Sequence, residues 1–269
     1  MFHLSRTTKW ALGLVAAAIL TLMYAPLLLV MANSFNDAQI SSWPIESFSL
    51  RWWERAIESQ AILDALWVSV LTALGATAIA LVLGSLAALA LQRYSFFGKN
   101  AVNLLIILPI ALPGIVTGVA LNNTYKNILE PIGIHVGFFG LIVGHATFCV
   151  VMVFNNVQAR LGRMNPRLEE ASNDMGAGLW TTFRRVTFPG FRTAFAAGGL
   201  LAFALSFDEI VVSIFTAPPG VETLPLWMLN NMARPNQQSL LNVVATVIII
   251  VSMVPVYLSQ RLSRDVSAN

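Results

Sequence analysis

The sequence predicts an all-α membrane protein with six transmembrane helices and both termini in the cytoplasm. Three observations lead there: an apolar composition, a series of long charge-free runs, and a one-sided distribution of basic residues. Of the 269 residues, 57% are hydrophobic and only 11% charged, and the mean hydropathy is +0.71. A soluble domain carries roughly twice that share of charge, so the chain reads as polytopic. The formal charge of +3 does not indicate a nucleic-acid footprint, because the basic residues sit in short loops between apolar runs.

Charge-free runs cover residues 10–36, 65–92, 100–125, 131–159 and 235–260. Each exceeds the ~20 residues that a helix needs to cross the hydrocarbon core. A sixth run, 193–217, is long enough if Asp208 and Glu209 are tolerated inside it. The spans are therefore placed at about 10–33, 65–92, 101–124, 137–159, 193–217 and 238–260, in a single transmembrane domain. The first run follows Arg6 and Lys9 but is longer than a usual signal core, and it reads as an uncleaved helix.

With this count, one face holds Arg6, Lys9, Arg93, Lys99, six arginines between 160 and 192, Arg261 and Arg264. The other holds Arg51, Arg55, Lys126 and Arg234. Twelve against four puts both termini and the 160–192 loop inside. Outside the membrane, the stretch FSLRWWERAIES places Trp52, Trp53, Ala56 and Ile57 near one helical face. It suits either an interfacial helix or a packing lid.

The inner loop 160–192 is too long for a plain turn. Pro166 is placed to start a helix, with Leu168, Ala171 and Met175 on one face and Glu169, Glu170 and Asp174 beside them. Gly176 and Gly178 can end it by taking up left-handed geometry. A further amphipathic run, 179–188, is expected to break at Pro189 before the fifth span. A short exposed helix with acids near its start, held between two spans, is suited to docking in a groove of another protein.

Glu170-Ala171-Ser172, Gly176 six residues after the Glu, and Phe188-Pro189 a dozen residues later together resemble the EAA loop of permease subunits of binding-protein-dependent ABC importers. Ser172 departs from the small residue, Ala, that the pattern has at its third position. The six spans, the FSLRWW segment and the SFDE and LPLWM segments are similar to the PotC/PotI-type permease family of spermidine/putrescine importers. The resemblance covers nearly the whole chain. It implies the type I ABC importer permease fold in the bacterial cytoplasmic (inner) membrane. It also implies a second permease subunit as heterodimer partner, two ATPase subunits and an extracytoplasmic substrate-binding protein. By resemblance, the 166–176 helix is the ATPase-coupling element, with Glu170, Ala171, Asp174, Gly176 and Ala177 as its contact positions. Relatives in that group are linked to polyamines and, in some cases, to 4-aminobutyrate or opines.

The chain has no G-x-x-x-x-G-K-[ST] loop for ATP phosphates, and its three His and single Cys lack metal-ligand spacing. No cofactor is expected in this subunit; ATP and Mg would belong to partner subunits, and the chain is not expected to be an enzyme. His145 and Cys149, both within the fourth span, read as packing residues, His145 with hydrogen bonds.

Asp208 and Glu209 are the sixteenth and seventeenth residues of a continuous fifth span counted from Thr193. A carboxylate in hydrocarbon costs on the order of 2–3 kcal/mol, so such acids face a bundle interior or a wet cavity. Asn122, Asn123, Asn155, Asn156, Ser206, Ser213 and Thr216 are candidate hydrogen-bond partners. A pathway for a small ammonium-bearing solute would use Asp208 or Glu209, with cation–π help from Phe207, Trp227 or Tyr125. The other function of such a pair is ion coupling in an autonomous secondary carrier. Pro109 and Pro113 predict a kink, or a gating hinge, in the third span. The proline-rich stretch 217–238 suits a re-entrant segment, a cap on the pathway or a receiving surface for the binding protein.

Overall fold

The computed structural model describes residues 5–39 and 44–267, with side chains through 262. Among the described residues the regular structure is helical, with no strand and one isolated β-bridge, Asn36 with Phe48. Among the described residues, five helices are long and apolar enough to cross a membrane, and a bent helix pair supplies a sixth crossing if it counts as one span. The chain divides into two compact units, residues 1–63 with 228–247, and residues 64–227 with 248–269.

In the first unit, α1 (Arg6–Asn33) starts at Ser5, whose side chain accepts from the Thr8 N–H, and it buries no residue. After it the chain folds back through Asp37 N–H to Ser47 O (3.1 Å) and Ser49 N–H to Phe35 O (2.7 Å). The helix expected around FSLRWW is α2 (Arg51–Glu58). Trp52 and Ala56 are buried and Trp53 is half-buried, stacked on Phe35 at 5.5 Å, whereas Ile57 turns outward, so all but one residue of the expected apolar face packs. Arg51 and Arg55 lie over the Trp52 ring at 4.9 and 4.8 Å, and the indole N–H donates to Asp37 O.

The second unit is built on α3 (Gln60–Arg93), α6 (Gly137–Leu161) and α9 (Phe188–Phe207). Small residues set their spacing: Ala76, Ala80 and Ala88 on α3 and Ala202 on α9 are fully buried. A Cβ at Gly84 of α3 would stand 2.8 Å from the Val150 carbonyl oxygen of α6, so only glycine permits that approach. Cys149 lies fully buried in this core, its thiol 3.3 Å from the Ala202 carbonyl.

The third span, 101–124, is two helices rather than one kinked rod. Helix α4 (Lys99–Ala111) and α5 (Gly114–Thr124) belong to a pair bent by 104°. The cause is local. Leu112 precedes Pro113 and is pushed to extended geometry at φ −84°, ψ 144°, and Pro113 has no N–H to continue the ladder.

The stretch before the fifth span also departs from expectation. Pro189 does not interrupt it. Helix α8 (Leu179–Thr182) passes through a π-turn at 183–187 straight into α9, and this widened turn carries the helix past Pro189, which has no N–H to donate. Gly178 is not left-handed; it precedes α8 in extended geometry. The remaining helices are α7 (Arg167–Asp174), α10 (Val211–Thr216), α11 (Leu224–Asn231) and α12 (Gln238–Ser267).

Candidate functional site

Two places in the second unit carry adjacent carboxylates, and each is built by a helix end. The first is α7. Its C-terminus is closed by a six-to-one bond from Ala177 N–H to Ser172 O (3.1 Å) and a bond from Gly176 N–H to Asn173 O (2.8 Å). This Schellman closure needs a left-handed residue, which Gly176 supplies at φ +83°. Of the helix's own residues only Ser172 is buried. Its hydroxyl is 3.0 Å from Thr182 Oγ1, which in turn donates to Asn173 Oδ1 at 3.1 Å. The departure from the family pattern at position 172 is therefore a hydrogen bond that pins α7 to α8.

Glu170, Ala171, Asp174 and Gly176 are exposed and Ala177 is half-buried, so the expected contact positions share the outer face of one loop. Leu168 and Met175 are exposed among them at 57% and 84%, as are Leu179 and Trp180 just beyond.

Glu169, not singled out by the sequence pattern, behaves differently from its neighbour. Its Oε1 accepts from Arg93 Nη2 and from Thr187 Oγ1, both at 2.8 Å, and the two charged side chains are each 19% exposed. Arg93 had been legible only as a basic residue at a span end; its pairing links residues 76 apart in sequence.

The second place is Asp208–Glu209. The fifth span is not continuous: α9 ends at Phe207 and α10 begins at Val211. The break contains neither Gly nor Pro. It is held instead by side chains. Glu209 Oε1 accepts from the Val212 N–H at 2.9 Å, satisfying a first-turn amide of α10. From α6, His145 reaches both sides of the break, with Nδ1 2.8 Å from Ser206 Oγ and Nε2 2.9 Å from Ser213 Oγ. Ser213 Oγ also lies 3.1 Å from Glu209 O, which can only accept from it, so the hydroxyl bridges His145 and the backbone of the break. His145 is thus hydrogen-bonded packing, as its position in an apolar run implied, and its particular task is to clamp α9 to α10.

Asp208 is exposed, whereas Glu209 lines a cleft of about 180 Å³ beside Pro109, Gly114 and Thr117 at the break between α4 and α5. Both broken spans therefore meet at one acid. Among the described residues, neither acid pairs with a Lys or Arg. Most of the polar groups expected to bond the acids are engaged elsewhere. Asn122 donates to Phe215 O, Asn156 to Met152 O and Thr216 to Val212 O. The aromatic candidates are set back as well. Phe207 is buried at 1% and Trp227 at 7%, and the Tyr125 hydroxyl donates to Gly140 O at 2.9 Å.

Comparison with known proteins agrees with this architecture. The chain is 33% identical over 249 residues to the spermidine/putrescine transport system permease protein PotC of Escherichia coli K12, covering 92% of each protein. The putrescine transport system permease protein PotI of the same organism is 31% identical over 253 residues, covering 91% of this chain and 89% of PotI. Among solved structures, the bacterial alginate ABC transporter in complex with its pentasaccharide-bound periplasmic protein superposes with TM-score 0.72. The overlap covers 96% of this chain and 95% of that one, at 16% identity. The MetNI methionine ABC transporter gives TM-score 0.57 at 17% identity, over 77% of this chain and 99% of that one. At such identities these structures speak for the fold alone. Residues 80–266 match the family described as binding-protein-dependent transport system inner membrane component, and the chain belongs to that family.

Proposed function

We propose that the chain is the permease subunit of an ATP-driven ABC importer that moves a polyamine, such as putrescine or spermidine, into the bacterial cytoplasm. The observation that carries this is α7: a short capped helix with Glu170, Ala171 and Asp174 outward and almost nothing buried, on a chain similar to polyamine permeases over 92% of its length. A helix that packs so little of itself at home gains its stability from a partner's groove.

In this reading both termini and the 160–192 loop face the cytoplasm, where the excess of Lys and Arg lies. Two ATPase subunits bind ATP and Mg and perform the hydrolysis; this chain contributes α7 to one of them. A second permease subunit completes the pathway, and an extracytoplasmic binding protein delivers the solute. Closure of the ATPase pair displaces α7, and the spans exchange an outward for an inward opening. At the broken fifth span, exposed Asp208 offers an ammonium group a charge-assisted hydrogen bond, while Glu209 carries charge into the cleft at the α4–α5 break. Among the described residues neither carboxylate pairs with a Lys or Arg, so the site attracts a cation without holding it in a closed cage, which suits passage.

The test is co-purification of the chain, expressed with its neighbouring genes, with and without Glu170→Arg and Gly176→Trp. An ATPase that accompanies the wild type and is lost from both variants, together with ATP-dependent uptake of labelled putrescine, is the expected result. A chain that purifies alone and transports in liposomes without ATP overturns the reading and makes the two acids the coupling site of a carrier.

A further inference from the structure

We propose that Glu169 is a positioning residue that makes α7 move together with two membrane helices, α3 and α9. The proposal rests on the importer reading above and concerns how force leaves the docking helix. Helix α7 has no apolar anchor in the fold: Leu168 and Met175 point outward, and Ser172 is its sole buried residue. Its attachment is therefore polar. The Ser172 tie reaches only Thr182, in the neighbouring short helix α8. The Glu169 tie reaches further. One carboxylate oxygen accepts from Arg93, the last residue of α3, and from Thr187, the residue that opens α9.

Those two helices are the long levers of the unit. Helix α3 runs 34 residues from that ion pair. Helix α9 runs 20 residues, about 30 Å at 1.5 Å per residue, and ends at Phe207, one residue before Asp208. A displacement of α7 thus pulls on the same oxygen that holds the inner end of α3 and the helix leading to the acids. The bonds are short and shielded: Thr187 is buried, and both members of the ion pair are four-fifths covered. A charge-assisted pair in that setting resists lengthening more than an exposed one. The division of labour along α7 follows: Glu170 and Asp174 face the ATPase, and Glu169 faces the membrane domain.

The test uses the whole transporter, with the partner permease, the ATPase subunits and the binding protein, in proteoliposomes. Labelled putrescine imported is divided by ATP hydrolysed. Glu169→Ala and Arg93→Ala are expected to retain ATPase subunits at the wild-type ratio while transport per ATP falls about ten-fold, within the usual range for coupling between sites. The double variant is expected to be no worse than the poorer single, because both remove one pair. Arg93→Lys, which keeps the charge, is expected to recover part of the ratio. An unchanged ratio in both single variants overturns the proposal. So does a loss of uptake that merely follows loss of assembly, or a double variant whose deficit is the product of the singles. Absence of ATP-driven uptake by the wild type overturns the importer reading and this inference with it, whereas a working wild type with unaffected variants overturns only the role of Glu169.

Discussion

The chain carries two pairs of adjacent carboxylates, Glu169–Glu170 and Asp208–Glu209, and both pairs divide their labour in the same manner. In each, one acid is tied down and its neighbour is exposed. Glu169 is held by Arg93 and Thr187 while Glu170 faces outward. Glu209 is held by the Val212 amide while Asp208 is exposed. The difference lies in what does the holding. At α7 a cation neutralises the tied acid; at the break a neutral backbone N–H receives it. The docking loop therefore keeps one net negative charge from its pair for a partner, and the broken span keeps two. A site built to meet a cation is expected to show that excess.

The largest expected effect tests that excess. Asp208→Asn keeps size and hydrogen bonding but removes charge from the exposed member. A hydrogen bond to a charged group contributes about 1.5–3 kcal/mol, so uptake at low putrescine concentration is expected to fall roughly ten- to a hundred-fold. ATPase co-purification should stay intact. Glu170→Arg is expected to do the reverse, losing the ATPase first and uptake as a consequence. Uptake indifferent to Asp208→Asn would break the comparison, because the exposed acid at the break would then carry no function.

These two regions were unequally legible in the sequence. The docking loop announces itself locally: helix start, acids, Gly176 and Pro189 lie within 24 residues, and a left-handed glycine closing a short helix is a nearest-neighbour effect. Its anchor was not legible, because Arg93 and Glu169 are 76 positions apart and only packing brings them together. The fifth span shows the opposite error. Hydropathy reported a single run from 193 to 217, and the acids were counted along a continuous rod. Yet Asp favours helix ends over helix interiors, and α9 ends one residue before Asp208. The ring that stabilises the break, His145, comes from another span, with its partners Ser206 and Ser213 more than 60 residues away. At the third span, by contrast, Pro109 and Pro113 predicted a bend from sequence alone, though not one of 104°.

His145 sharpens the contrast between a break held by proline and one held by side chains. His145→Ala removes both hydrogen bonds and leaves two serine hydroxyls in a buried setting. Hydrogen bonds between membrane helices average about 0.6 kcal/mol and reach about 1.7, so a loss of roughly 1–3 kcal/mol is expected. Thermal unfolding of the detergent-purified protein measures it. The same substitution should lower putrescine uptake further than the stability loss explains, since Asp208 and Glu209 sit on the segment that His145 clamps. An unchanged melting temperature would show that the α9–α10 junction is held by backbone packing instead.

A smaller effect separates charge from capping at Glu209. Glu209→Gln retains an oxygen for the Val212 N–H, whereas Glu209→Ala leaves that amide without its side-chain acceptor. Losing a cap costs about 1 kcal/mol. Both variants are expected to reduce uptake, but only the alanine should lower the melting temperature. Equal melting temperatures for the two would mean that the 2.9 Å contact does not stabilise α10.

The smallest expected effect is at Ser172, where two terms oppose each other. Alanine is the better helix former by about 0.5 kcal/mol, which favours Ser172→Ala in α7. Against that, the serine hydroxyl is bonded to Thr182 Oγ1 at 3.0 Å in a buried position, and a net hydrogen bond contributes about 1 kcal/mol. Thr182 keeps its bond to Asn173, so no group is left stranded by the change. The difference, about 0.5 kcal/mol, corresponds to a roughly two-fold rise in local opening. Amide hydrogen exchange across 168–175 reads that factor directly, and ATPase co-purification is expected to be unaffected. Slower exchange in Ser172→Ala would mean that helix propensity outweighs the Thr182 bond, and that the Asn173–Thr182 bond and the Glu169 tie suffice to hold α7.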